Sequence, residues 1–446
     1  MSDPQPAAAS DSPGLASRSI AAEALGAVLH RHRALDQTLD SETGIAGLRA
    51  LPDRDRAFVH MLVAKTLRRL GSLRALLASL LERGVPKETP LVEIALLIGA
   101  VQILFLSVPD HAAVDTSVEI ANQDRAARRY AALVNAVLRR IVREGNDRIS
   151  ALDPLIDTPQ WLRERWIENY DAAQTKQIAA AHALEPPLDL SVKDDAPAWT
   201  ARLEGLLLPT GTVRIAGHGP VPALPGYDEG AWWVQDAAAA LPAKLFGDVA
   251  GLKVADLCAA PGGKTAQLAA GGADVVAVDR SAPRLARLKG NMQRLRLACA
   301  TVAADAGEWQ GGPFDAVLLD APCTATGTIR RNPDLPWNRR SGDLAKLAAL
   351  QSRLLDRAAT LVKPGGLLVY STCSLEPEEC ERQIEALLAR NSALTRVPVA
   401  SSEVGGIDSF VSARGDLRTL PFYLANQNER LSGCDGFYAA RLRRLS

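Results

Sequence analysis

The sequence predicts a multidomain chain: an all-α helical bundle, a small α+β connecting segment, and a doubly wound, Rossmann-like α/β domain. Three observations predict it. From about Ser17 to Arg143, Leu, Ala and Arg dominate and apolar residues recur at three and four positions, the period of a helix. Between about Pro154 and Gly226, Trp161 and Trp166 are followed by proline-rich, alternating text such as LDLSVKDD and GTVRIAG. From about Ala231 onward, short apolar runs alternate with helical stretches, the pattern of a mostly parallel sheet with crossover helices. The expected parts are a flexible leader at 1–16, the bundle at 17–150, the connecting segment at 151–230 and the α/β domain at 231–446.

Taken in order, the leader MSDPQPAAASDSPGLAS carries acids and prolines where a signal peptide needs a basic start and an apolar core. Within the bundle, LVEIALLIGAVQILFLSV (91–108) is the one stretch resembling a membrane span, but Glu93 and Gln102 interrupt it and a buried helix explains it better. Of the 446 residues, 47% are hydrophobic and 23% charged, which suits two or three packed domains. Lys plus Arg and Asp plus Glu balance at 51 each, so a nucleic-acid partner has to be argued from local basic faces. Six cysteines form no CxxC pair, so neither a metal site nor a disulfide ladder is expected, and a reduced cytoplasmic compartment fits. No internal repeat and no heptad seam is visible, and a monomer is expected.

In the α/β domain the candidate strands are KVADL, DVVAVD, TVAAD, DAVLLD and LLVYST. The loop after the first reads CAAPGGKT. A phosphate-binding loop needs glycine where Cys258 stands, and a dinucleotide site needs GxGxxG, which is missing. The glycine pair Gly262 and Gly263 still lets the backbone approach a ligand. Asp279 ends the second strand, where an acid can accept from both ribose hydroxyls, and Asp305 ends the third, where it can meet an adenine amine. Either acid alone could simply cap the next helix. Together the strand ends point to S-adenosylmethionine, which has ribose and adenine but no phosphate. Asp320, Cys323 and Cys373 follow the fourth and fifth strands and fall at the same sheet edge. Cys258, Cys299, Cys380 and Cys434 read as small packed hydrophobes.

DLCAAPGGKT, DAPCTATGTIRRNPD and YSTCSLEPEE resemble three motifs of the RNA (cytosine-5) methyltransferases, and VPDHAAVDTSVEIA with YAALVNAVLRRIVREG resembles the NusB-like RNA-binding domain of a bacterial member of that family. The pattern departs from the family at Thr324, where many members have serine, and in the insert ahead of the terminal DGFYAARL. The resemblance implies a class I methyltransferase domain behind a NusB-like bundle, acting on carbon 5 of a cytosine in small-subunit ribosomal RNA. It implies that Cys258, Ala259, Ala260, Pro261, Gly262, Gly263, Lys264, Asp279, Arg284, Asp305 and Asp320 bind S-adenosylmethionine.

Carbon 5 of cytosine is a poor nucleophile until a thiolate adds to carbon 6, and a second group must then act as a base to release the product. Chemistry alone leaves the order of the two cysteines open; the resemblance makes Cys373 the nucleophile and Cys323 the residue that assists release. Asp320 would stabilise the adduct at N3 and the exocyclic amine, and Lys264 would orient the base or balance the carboxylate. The target must be unpaired or flipped, in a loop or bulge of structured RNA. Arg330 and Arg331, and the group Arg125, Arg128, Arg129, Arg139 and Arg140, are the candidate phosphate contacts. A non-enzymatic RNA-binding assembly factor with a decayed fold is the competing class, opposed by the filled catalytic positions.

Overall fold

The computed structural model describes residues 14–40, 43–217 and 219–445. The expected leader, 1–16, lies outside them apart from its last three residues, and a helix already begins at Leu15. Two compact units are present. One holds the chain up to Ala179 together with Asn332–Asn338, and the other holds Ala180–Arg331 with Arg339 onward.

The first unit is helical, with principal helices Leu15–Arg31, Asp53–Arg68, Leu70–Leu80, Pro90–Phe105, Asp110–Gln123 and Ala131–Ser150. Asp53 and Asp55 open one of them and Lys65 and Arg68 close it, each charge opposing the helix dipole at its end. Pro90 starts its helix at a position whose N–H has no intrahelical partner to lose. That helix is apolar on every face and buried from Ile94 to Gln102, as expected of an element surrounded by others. Its two polar interruptions are both satisfied. Gln102 accepts from Arg18 Nε at 2.6 Å and donates to the Ile98 carbonyl at 3.0 Å, and Glu93 pairs with Arg74 at 2.8 Å. No helix among the described residues is long and apolar enough to cross a membrane.

The stretch 151–230 supplies helix to the first unit and then an antiparallel sheet to the second. Its strands are β1 (Leu188–Val192), β2 (Leu206–Leu207), β3 (Val213–Ile215) and, just beyond it, β4 (Trp232–Val234), in the order β2-β3-β1-β4. Asp189 on β1 and Arg214 on β3 face each other across the ladder in a fully buried bidentate pair, both contacts 2.7 Å.

The larger sheet contains β5 (Lys253–Leu257), β6 (Asp274–Asp279), β7 (Ala300–Ala303), β8 (Phe314–Asp320), β9 (Val362–Thr372), β10 (Leu394–Arg396), β11 (Leu417–Thr419) and β12 (Phe437–Arg444). Its order is β10-β12-β9-β8-β5-β6-β7, with β11 paired to β12. Strands β5 to β9 run parallel to their neighbours, and β12 lies antiparallel on β9. Val254, Ala255, Val317, Leu318, Leu319, Leu368 and Val369 are all buried, so these strands are continuous apolar runs rather than alternating ones. The chain order reverses between β5 and β8. A crevice opens at such a switch point outside the carboxyl ends of the strands, and the loops after β5, β8 and β9 all meet there.

Candidate active site

β5 ends at Leu257 and the chain turns through Cys258 (φ 61°) and Gly262 (φ 105°) into the helix Gly263–Ala270. At Gly262 a side chain is excluded twice over: the φ is left-handed, and a Cβ would lie 2.8 Å from Leu288 Cγ. Asp279, at the end of β6, fixes the loop. Its buried carboxylate accepts from Ala260 N at 3.2 Å and Ser281 N at 2.9 Å and pairs with Arg284 at 3.2 Å. Arg284 in turn donates to the Ala260 carbonyl. Asp305 lies two residues past the end of β7, since that strand stops at Ala303; its carboxylate is half-exposed and paired with Arg353 at 3.0 Å, which holds it below the ordinary range.

Beneath the loop, Asp256 accepts from Thr265 Oγ1 at 2.6 Å, while its other oxygen is buried without a partner. Burial pushes its carboxyl up to about 7. Burial, then the charges of Asp279, Asp320 and Asp256, push the Cys258 thiol up to about 12, so three carboxylates converge on this one turn. A cavity of about 440 Å³ opens beside the loop, and Asp256, Gly263, Lys264, Asp320 and Gln235 are among its walls. The glycine turn and the unpartnered oxygen of Asp256 fit a nucleoside ligand of the S-adenosylmethionine kind.

The other two loops meet because β8 and β9 are parallel neighbours with Asp320 opposite Ser371. Cys323 follows three residues after the first of these and Cys373 two after the second, which brings their sulfurs to 3.5 Å. Cys323 is buried; the neighbouring thiol, burial and the charge of Glu379 all hold its own thiol well above the ordinary range, so it stays protonated. Cys373 is half-buried. Asp320 accepts from Ser371 Oγ at 2.8 Å and pairs with Lys264 at 2.8 Å, and the lysine ammonium sits 4.9 Å from the centre of the Phe437 ring. Gly327 N donates to the Cys373 carbonyl at 3.0 Å, and a Cβ on Gly327 would fall 1.9 Å from the Gly436 carbonyl, so the chain entering β12 closes against the loop after β8 where only glycine fits.

Cys323, Cys373, Asp320 and Lys264 are therefore brought together, with Cys258 to Lys264, Asp279 and Arg284 alongside; Asp305 is turned toward Arg353. Glu379, Ser371, Phe437, Asp256 and Gln351 belong to the same cluster and were not expected from sequence. Glu379 lay in the quoted SLEPEE, but nothing there separates it from Glu378. Cys380 and Cys434 are fully buried and Cys299 half-buried, pushed up as packed thiols are.

One expectation is corrected. Arg330 does not face outward to phosphates, and Arg331 is engaged by carboxylates at the cavity wall. Arg330 is 1% exposed and donates to the Ser432 carbonyl at 3.0 Å. Arg331 pairs with Asp236 at 2.6 Å and Asp435 at 3.1 Å, because those buried carboxylates need a counter-charge that water cannot supply there. In the helical unit, Arg125, Arg128, Arg129 and Arg139 are exposed and Arg140 is half-buried against Glu144. Among the described residues no group of His, Cys, Asp and Glu side chains could hold a metal ion.

Comparison with known proteins then bears on this arrangement. A family model described as 16S rRNA methyltransferase RsmB/F matches residues 249–443, and one described as NusB family matches residues 15–143. A ribosomal RNA small subunit methyltransferase B from Pseudomonas putida is 36% identical over 436 residues, covering 89% of this chain and 97% of that protein. The chain belongs to the RsmB/F family of methyltransferases. The corresponding RsmB/F relative from Pseudomonas syringae is 37% identical over 462 residues, covering 96% of this chain and 97% of its own length. The crystal structure of PH0851 shares the fold, with a TM-score of 0.75 at 23% identity over 97% of this chain and 99% of that one. A methyltransferase homolog from Pyrococcus horikoshii has a TM-score of 0.54 at 26% identity over 66% of this chain and 99% of its own. The expected class of fold, a NusB-like helical region followed by a Rossmann-like methyltransferase domain, is thus the one present.

Proposed function

We propose that this protein transfers a methyl group from S-adenosylmethionine to carbon 5 of a cytosine in small-subunit ribosomal RNA, through a covalent bond between Cys373 and the base. The observation that carries the reading is the placement of two cysteine sulfurs 3.5 Å apart beside the Lys264–Asp320 pair, at the sheet edge next to the glycine turn. The residues 17–150 would serve as the RNA-binding part and 231–446 as the methyltransferase part. When bound, the cofactor supplies an electrophilic methyl on a sulfonium. Asp279 would hold its ribose, the loop from Cys258 to Lys264 its backbone-facing edge, and Asp256 and Asp320 the neighbourhood of the cation.

Cys373 is the more exposed of the pair and the one the family resemblance makes the nucleophile, while Cys323 is buried beside it. Its attack on carbon 6 sends the C5=C6 electron pair toward carbon 5 and N3. Asp320, oriented by Ser371 and Lys264, would meet N3 and the exocyclic amine of the base. After transfer, the C5 proton passes to water, the C5–H pair re-forms C5=C6, and the C6–S pair returns to Cys373. Cys323, 3.5 Å away, would donate a hydrogen bond to that departing sulfur, a role different from the base expected from the sequence. The target base must leave its stack to present carbon 6, and the exposed arginines of the helical unit are the remaining candidates for phosphate contact.

The cofactor assignment is tested by titration calorimetry with S-adenosylmethionine in the absence of RNA. The wild-type protein is expected to bind it, and Asp279→Asn to bind about tenfold or more weakly through loss of charge-assisted hydrogen bonds. Equal affinity in the two would place the ribose elsewhere. No binding by the wild type would favour the assembly-factor reading.

A further inference from the structure

Glu379 is fully buried, and its carboxylate has no solvent to satisfy it. Its donors are supplied mainly by the segment that carries Cys323. Thr324 N donates to both oxygens, at 2.9 and 3.1 Å, and Thr324 Oγ1 donates to Oε2. From the helix Ser341–Leu361, Gln351 donates to Oε1 at 3.1 Å and also to the Pro322 carbonyl at 2.9 Å, so it braces both sides of the cysteine. The Glu379 carbonyl accepts from Tyr370 Oη at 2.6 Å, which anchors the glutamate to β9, the strand that delivers Cys373. Ser374 Oγ lies 3.3 Å from Thr324 Oγ1, a second tie between the loops. The loop of one cysteine is thereby fastened to the loop of the other through a single carboxylate. Its negative charge also opposes ionisation of Cys323.

We infer that Glu379 is the positioning residue that holds the Cys323 thiol against the Cys373 sulfur, so that release of the methylated base depends on it while attack on the base does not. The inference rests on the cysteine roles proposed above. An isosteric Glu379→Gln keeps the volume and one acceptor oxygen, but it sets an amide N–H against either the Thr324 or the Gln351 donors and removes the charge. Cys323 then loses its fixed distance, and release slows about tenfold or more, while formation of the Cys373–C6 bond is little changed.

The test incubates wild type, Glu379→Gln and Cys323→Ala with S-adenosylmethionine and unmodified small-subunit ribosomal RNA, and measures both turnover and the fraction of protein joined to RNA on a denaturing gel. Thermal unfolding is recorded for each. Glu379→Gln is expected to accumulate adduct with Cys323→Ala, a readout that a merely weakened fold does not produce. If Cys323→Ala stalls but Glu379→Gln turns over like wild type, or loses turnover without adduct, the positioning role is overturned. If Cys323→Ala itself does not stall, the cysteine assignment fails and the role of Glu379 falls with it. Should Glu379→Gln fold poorly, Thr324→Ala, which removes one donor and keeps the carboxylate, is expected to give a smaller accumulation that Thr324→Ser reverses; its absence overturns the role equally.

Discussion

Cys323→Ala is expected to remain covalently joined to its RNA, while Cys373→Ala forms no adduct at all. The two sulfurs lie 3.5 Å apart, but their surroundings differ. Cys373 is half-buried at the end of β9, open enough to meet a flipped base. Cys323 is buried and kept protonated by the neighbouring thiol, by burial and by Glu379. Removing Cys373 removes the nucleophile, and turnover should fall by a factor on the order of 10⁴ to 10⁶, as when a covalent catalyst loses its attacking group. Removing Cys323 leaves attack and methyl transfer possible but takes away the donor to the departing sulfur. A denaturing gel after incubation with S-adenosylmethionine and small-subunit ribosomal RNA separates these outcomes. An adduct from Cys373→Ala alone would exchange the two roles.

Asp320→Asn is expected to lower turnover by about 10²- to 10³-fold, the usual cost of one preorganised group aimed at developing charge. The aspartate accepts from Ser371 and pairs with Lys264, so it is already oriented before substrate arrives. Asparagine keeps the shape but cannot carry the charge or share a proton with N3, and it takes away the counter-charge paired with the Lys264 ammonium. Cofactor affinity, measured in the same preparation, should change far less than turnover. Equal losses in both would mean that Asp320 serves the cofactor instead of the base.

Much of the α/β unit was legible in the sequence because its central strands are covered on both faces. KVADL and DVVAVD coincide with β5 and β6, and DAVLLD and LLVYST fall within β8 and β9. Burial on both sides makes such strands unbroken apolar runs, which are easily seen. The edge strand was read less well: TVAAD carried the strand to Asp305, but β7 ends at Ala303, and the half-exposed Asp305 pairs with Arg353. Cys323, Cys373, Lys264 and Asp320 could be found because each follows a strand toward the same edge. What sequence could not show was pairing across long stretches of chain. Arg330 and Arg331 looked like phosphate contacts beside a catalytic loop, because Asp236 and Asp435, which claim Arg331, are remote in sequence. Glu379 was hidden for the same reason. An acid next to another acid reads as a solvated surface until a fold buries one of them against Thr324.

The central claim is the position of the methyl group. The most direct measurement incubates the protein with small-subunit ribosomal RNA lacking its modifications and S-adenosylmethionine labelled on the methyl carbon, digests the RNA to nucleosides and identifies the labelled product by mass spectrometry. Label in 5-methylcytidine, lost in Cys373→Ala, is the predicted result. Label on a ring nitrogen, an exocyclic amine or a ribose oxygen would contradict it, since none of those positions needs a thiolate at carbon 6.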